Sequence, residues 1–297
     1  MNYRKLGKSE LAISEISFGC MSLKIGANDN QSILNKAVDN GINYFDTADL
    51  YDKGENEKLV GLALKDRRKE ILIGTKVGNQ WRTDGSGWDW NPRKEYILKT
   101  VDDSLRRLQT DHIDLYQLHG GTIEDPIDEV VEAFERLVEL GKIRYYGISS
   151  IRPNVIRAYA SKSNITSVMM QYGMLDRRPE ENCFKLLEEN NIGVLARGGL
   201  AKGILVDKPV THYLNHTYQE VEKVKKAIFE LTKEEKSAEQ IALQFVLNPI
   251  VVSSAVVGIR TLDQLNKALE AIQTPAPIDE IHSLQSIIPL NYYELHR

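Results

Sequence analysis

Cysteine is scarce in this 297-residue chain: Cys20 and Cys183 are its two, far apart in sequence. A disulfide framework is therefore not expected, and a reducing compartment, the cytoplasm, is the simpler setting. Basic blocks are missing too. The 38 Lys and Arg interleave with 42 Asp and Glu for a formal net charge of −4, so no nucleic-acid footprint is visible. No apolar run approaches the roughly 18 residues that a membrane span needs. Met1-Asn2-Tyr3-Arg4-Lys5-Leu6 lacks the apolar segment of a secretory signal. No Pro/Ser-rich linker divides the chain, so one domain over residues 1–297 is expected. No G-x-G-x-x-G follows a candidate strand, which argues against a Rossmann-type dinucleotide domain.

What the chain does have is alternation. Short β-branched runs read as strands at Ile13–Phe18, Asn43–Thr47, Ile71–Val77, Ile113–His119, Ile143–Ser149, Ser167–Tyr172, Ile192–Ala196 and Val251–Ile259. Helix-patterned stretches separate them: Ser32–Asn40, Asn56–Lys65, Arg93–Leu108, Ile127–Leu140, Asn154–Ser161, Pro179–Asn190, Gln219–Leu231, Ala238–Leu247 and Leu262–Ile272. Strands joined by helical crossovers form a parallel sheet. Runs apolar on both faces, such as Ile71-Leu72-Ile73, fit strands covered by helices. A doubly wound sheet shares this local pattern, but eight units in about 250 residues favour a (β/α)8 TIM barrel. Asn40-Gly41 and Leu140-Gly141 place Gly just past an apolar helix, where a left-handed residue closes it.

Two connections are long: Gly78–Pro92 after the third strand and Gly198–Thr217 after the seventh. In a barrel such loops at strand C-termini carry substrate contacts. The tail, Pro275–Arg297, starts with a Pro-Ala-Pro break and reads as an extra C-terminal helix.

Polar residues gather at neighbouring strand ends. The second strand runs into Asp46-Thr47-Ala48-Asp49-Leu50-Tyr51, the third ends in Gly74-Thr75-Lys76, and the fourth in Tyr116-Gln117-Leu118-His119. On a barrel rim a carboxylate, a phenol, an ammonium and an imidazole then converge. Reduction of a carbonyl requires a proton for the developing alkoxide as hydride reaches carbon. Tyr51 can donate it, with Lys76 as the adjacent cation. Asp46 orients Lys76, and His119 hydrogen-bonds the carbonyl oxygen. Singly, each has a plainer explanation: an Asp that caps a turn, a solvated Lys or Tyr, a structural His. Their joint placement favours chemistry.

Phe45–Tyr51 with Gly54-Glu55-Asn56-Glu57, Gly74-Thr75-Lys76 and Asp114-Leu115-Tyr116-Gln117-Leu118-His119 resemble the signature blocks of the aldo-keto reductase superfamily. The resemblance runs from Tyr3-Arg4-Lys5-Leu6-Gly7 through Ser104-Leu105-Arg106-Arg107-Leu108 to Gly258-Ile259-Arg260 and Gln264. It implies an NADPH-dependent oxidoreductase that reduces an aldehyde or ketone to an alcohol. Asp46, Tyr51, Lys76 and His119 fall on the family's catalytic positions, with Tyr51 as general acid. Ser149 and Gln171 match positions that hold the nicotinamide carboxamide, and Gly19 and Cys20 match positions beside the nicotinamide. Gly258, Arg260 and Gln264 match cofactor-binding positions, with Arg260 the candidate for the phosphate or else a plain exposed arginine. A guanidinium at a helix N-terminus suits the 2′-phosphate that separates NADPH from NADH.

Some positions depart from the family. Arg197 stands where many relatives stack an aromatic ring on the nicotinamide. Its plane can stack as well, bind a substrate carboxylate, or repel the cationic oxidised nicotinamide. Ser150 and Ala268 replace asparagines common in relatives, the second an adenine contact. Trp81, Trp88 and Trp90, all the tryptophans of the chain, form either an apolar wall for substrate or the packing of their own loop. His212 and His216 stand four apart without a patterned third ligand, so loop or helix surface and no metal site are expected. The charges of Glu220–Lys236 read as a solvated helix face.

Two other functions stay open. The superfamily resemblance extends to potassium-channel β-subunits, which would make the chain a nicotinamide-binding redox sensor. It is nearly all barrel, with no long N-terminal extension to engage a channel, which favours the enzyme. The same chemistry run backwards would be a sugar or polyol dehydrogenase. The expected partner is a small-molecule carbonyl, with no nucleic acid and no membrane.

Overall fold

Period-2 and period-3.6 segments are joined in this protein by one closed ring of hydrogen bonds. Its structure, a computed structural model, describes residues 1–232, 236–274, 277–287 and 290–297. Positions 233–235 of the charged stretch and Pro275 and Ala276 of the proline break lie outside the described residues.

The chain opens with an antiparallel hairpin of β1 (Tyr3–Lys5) and β2 (Ala12–Ser14). Barrel strands β3 (Ile16–Gly19), β4 (Tyr44–Asp46) and β5 (Leu72–Val77) follow. A second hairpin, β6 (Asn79–Trp81) with β7 (Trp88–Trp90), precedes β8 (Ile113–Leu118), β9 (Ile143–Ser149), β10 (Ser167–Gln171), β11 (Gly193–Arg197) and β12 (Val252–Gly258). Apart from the two hairpins, the strands among the described residues pair in parallel as a closed barrel, with β12 returning to β3. The fold is a (β/α)8 barrel.

Helices α1 (Asn30–Asp39), α2 (Glu55–Leu64), α3 (Lys94–Leu108), α4 (Ile127–Glu139), α5 (Pro153–Lys162) and α6 (Cys183–Glu189) connect successive barrel strands. α7 (Tyr218–Leu231) and α8 (Ala238–Leu247) share the crossover before β12, α9 (Leu262–Glu270) follows it, and α10 (Ile278–Gln285) is the extra C-terminal helix. Each helix lays an apolar stripe on the strands. In α4 the buried residues are Ile127, Val130, Ala133, Phe134 and Leu137, one face at helical spacing. The Phe134 ring stacks on Tyr146 of β9 with centroids 5.3 Å apart. Burying one such large apolar side chain contributes about 1.5–3 kcal/mol.

Three sequence expectations need correction. The Ile13–Phe18 run is not one strand: it divides at Glu15 into β2 and β3. Ile13 joins Leu6 and Leu11 of the hairpin in an interior cluster with Tyr44, Leu115, Met169 and Leu195, so the hairpin fills the barrel from its N-terminal end. A continuous strand could not serve both the plug and the ring. The Pro179–Asn190 helix starts later, at Cys183. The long connection after β5 is partly ordered as the β6–β7 hairpin.

Register then selects the rim. Gly258 pairs with Gly19, Gly19 with Asp46, Lys76 with Gln117, and Gln171 with Arg197. Alternation aims Asp46, Lys76, Gln171 and Arg197 into one mouth at the strand C-termini. Among the described residues no helix is long and apolar enough to cross a membrane.

Candidate active site

Asp46 is the last residue of β4, and Lys76 lies within β5 on the adjacent strand. Lys76 Nζ donates to Asp46 Oδ1 at 2.5 Å and to the Thr47 carbonyl at 2.7 Å. It approaches the Tyr51 hydroxyl at 3.3 Å. Asp46 and Lys76 are both buried. Burial opposes the ammonium, but Asp46 and Tyr51 outweigh it and hold the Lys76 pKa above its usual value. The second Asp46 oxygen faces Gln117 Nε2 at 3.5 Å.

Tyr51 follows in the turn after β4, and His119 is the first residue past β8. Their rings meet edge-on, with centroids 5.8 Å apart. His119 Nδ1 is buried without a protein partner among the described residues. Burial first, then the positive charges of Lys76 and Arg197, push the imidazole pKa down to about 3. The ring is thus neutral at physiological pH, with one nitrogen protonated and the other bare.

These four groups share one mouth. Motif reading alone misses Gln117 as a site residue, although the DLYQLH run contains it. Its signal was alternation: it projects inward from β8 beside Lys76.

The remaining predicted positions divide. Gln171 Nε2 donates to the Tyr213 hydroxyl at 3.2 Å, and its Oε1 accepts from Arg197 Nη1 at 3.1 Å. Ser149, at the end of β9, is partly exposed. Opposite them, paired Gly19 and Gly258 leave bare backbone, and a Cβ at Gly258 would lie 2.5 Å from Ser22 Oγ. Cys20 instead turns its side chain into the core, where burial and then Asp46 raise its pKa well above normal. Its carbonyl accepts from Asn56 Nδ2 at 2.9 Å, and Asn56 in turn accepts from Thr47. Cys183 is also buried and unpaired.

Arg260 is exposed just ahead of α9, apart from the four-residue cluster. Its backbone N–H donates to Gln264 Oε1 at 3.1 Å, while Thr261 caps the helix. Gln264 therefore closes the turn on which Arg260 stands.

The three tryptophans do not act as one wall. Trp81 donates from Nε1 to the Leu50 carbonyl at 3.3 Å, beside the Tyr51 turn, and Lys53 lies 5.0 Å above its ring. Trp90 packs on the loops: its indole donates to Asp125 at 3.0 Å, and a Cβ at Gly78 would fall 2.6 Å from its ring. Trp88 is exposed. His216 departs from the expected surface position. It is buried, with Nε2 at 3.0 Å from the Leu175 carbonyl, because a turn with Tyr213 folds it inward.

Comparison with known proteins agrees with this architecture. The model of the aldo/keto reductase family matches residues 15–289. The chain belongs to the aldo/keto reductase family. This aldo-keto reductase is 48% identical over 307 residues to "Uncharacterized oxidoreductase YqkF" of Bacillus subtilis (strain 168), covering 100% of both chains. It is 36% identical over 212 residues to "Aldo-keto reductase yakc [NADP(+)]" of Schizosaccharomyces pombe, covering 68% of this chain and 62% of that one. Among solved structures it superposes on the holo form of aldo-keto reductase AKR11C1 from Bacillus halodurans with a TM-score of 0.95. That pair shares 48% identity and covers 100% of this chain and 99% of the other.

Proposed function

We propose that the protein is an NADPH-dependent oxidoreductase that reduces an aldehyde or ketone to an alcohol, with Tyr51 as general acid. The observation that carries this reading is the Lys76 ammonium, fixed by Asp46 at 2.5 Å and facing the Tyr51 hydroxyl at 3.3 Å.

The mouth fits a nicotinamide. Gly19 and Gly258 pair at the rim, where neither has room for a side chain, and Ser149 and Gln171 offer hydroxyl and amide groups suited to a carboxamide. Arg260, beside the N-terminus of α9, suits a phosphate. A Schizosaccharomyces relative whose name specifies NADP(+) supports the 2′-phosphorylated form. When bound, the cofactor supplies the hydride.

The chain's own residues manage the proton. Tyr51 releases its hydroxyl proton to the carbonyl oxygen as that oxygen gains negative charge, and Lys76 stabilises the phenolate left behind. Asp46 keeps the ammonium charged and aimed, and Gln117 steadies Asp46 from the neighbouring strand. His119, neutral because of burial and nearby cations, can donate one N–H to the carbonyl oxygen without competing as an acid. Trp81, next to the Tyr51 turn, is the tryptophan best placed to touch substrate. Arg197 lies against Gln171, where its cation would disfavour oxidised nicotinamide.

The test follows NADPH absorbance over a panel of aldehydes and ketones, with wild type and Tyr51→Phe side by side. Consumption that collapses by about 10²–10⁴-fold in the variant, with cofactor binding intact, is expected. Equal rates would remove Tyr51 from its role. Tight NADPH binding without turnover would point to the sensor reading.

A further inference from the structure

The chain turns sharply just after Tyr51, and the geometry of that turn needs a cause. Asp52, Lys53 and Gly54 are all left-handed, with φ of 48°, 56° and 86°. Two consecutive non-glycine residues rarely adopt that region, because Cβ crowds the following carbonyl. The turn's own hydrogen bonds are few and long: Tyr51 N to Ala48 O at 3.2 Å and Lys53 N to Leu50 O at 3.3 Å. Something outside it holds it.

Trp81 holds one side of it, through Leu50 and Lys53; Arg107, from helix α3, supports the other. Its side chain lies on the bare α-carbon of Gly54, and a Cβ there would meet Arg107 Cδ at 2.8 Å and Nε at 2.9 Å. Arg107 is in turn immobilised. Nε donates to Glu57 Oε2 at 2.6 Å, and Nη2 donates to Ser104 at 3.2 Å. Glu57 is fully buried, and its other oxygen accepts from Thr75 Oγ1 at 2.5 Å. Thr75 is the residue before Lys76. Asp49, buried at the start of the turn, adds a second acid to the cluster.

We propose that Arg107, clamped by Glu57 against Gly54, is a positioning residue for Tyr51. One guanidinium–carboxylate pair ties the turn carrying the phenol to the strand carrying the ammonium. The Lys76–Tyr51 separation of 3.3 Å leaves little slack, so a shift of about 1 Å would break the contact and cost on the order of 10²-fold in rate. The rate claim rests on the reductase reading; the geometric claim does not.

The test uses the Arg107→Met/Glu57→Gln double variant, which removes the guanidinium and its paired carboxylate together. Gly54→Ala, which alters no charge, is the second variant should the first not fold. With NADPH deuterated at the transferred position, kcat is expected to fall by roughly 30- to 100-fold. The isotope effect on kcat should rise or stay at its limiting value, and NADPH affinity should stay within about threefold. In the crystal structure of the variant the Tyr51 hydroxyl should lie out of reach of Lys76. A twofold or smaller change in kcat with Tyr51 in place would overturn the proposal. So would a fall in kcat matched by an equal loss of active protein. If wild type reduces no carbonyl, the reductase reading fails, and the Tyr51–Lys76 distance in the variant decides the positioning claim alone.

Discussion

Lys76 and Asp46 meet at 2.5 Å with side chains only 1% and 5% exposed, so each is the main compensation for the other's buried charge. Removing one partner of such a pair typically costs about 3–5 kcal/mol, because the survivor stays buried and unpaired. Lys76→Met and Asp46→Asn should each lower unfolding free energy by that order and abolish reduction. The double variant should be more stable than Lys76→Met alone. Urea denaturation of the three proteins checks this, and additive losses would mean that the pair is not coupled.

His119 makes stability depend on pH in a defined direction. Its folded pKa is depressed from 6.5 to about 3. As pH falls below about 6.5, the unfolded chain binds a proton that the native ring refuses. Stability from this group is thus present above that pH and lost between about 6.5 and 3, by at most about 1.4 kcal/mol per pH unit. The stability difference between wild type and His119→Asn should drift toward the variant as pH drops from 7 to 4.5. A constant difference would contradict it.

Arg260 is exposed beside the capped N-terminus of α9. Arg260→Leu should raise KM for NADPH by about 10- to 100-fold, the loss of a charge-assisted contact worth about 1.5–3 kcal/mol. KM for NADH should hardly move. Equal losses for both cofactors would place Arg260 elsewhere than at the 2′-phosphate.

Arg197 carries its cation to the mouth, with Gln171 as its hydrogen-bond partner at 3.1 Å. Arg197→Tyr should tighten NADP+ by about two- to fivefold more than NADPH, since the lost cation repels only the oxidised nicotinamide. Fluorescence titration with both forms measures the ratio. No change in cofactor affinities or substrate preference would leave Arg197 without the proposed role.

The β6–β7 hairpin illustrates what local pattern conceals. Trp81, Trp88 and Trp90 look alike along the chain, as three large apolar residues in one loop. Their neighbours come from elsewhere: Leu50 for Trp81, Asp125 for Trp90. His216 is similar, since the carbonyl that meets its Nε2 belongs to Leu175, 41 residues away.

Sequence alone determined the succession of eight strand–helix units, because hydrophobic periods of 2 and 3.6 are local properties that each segment carries; their closure into a ring rests on the pairing of β12 with β3. Sequence also brought Asp46, Tyr51, Lys76 and His119 to adjacent strand ends, since alternation and parallel order suffice for that. Tertiary structure alone decided that Glu15 parts a plug from a barrel strand, that Gln117 backs Asp46, and that Arg107 reaches Gly54 from another helix. Those facts depend on close contacts between segments distant in the chain, which no local period encodes.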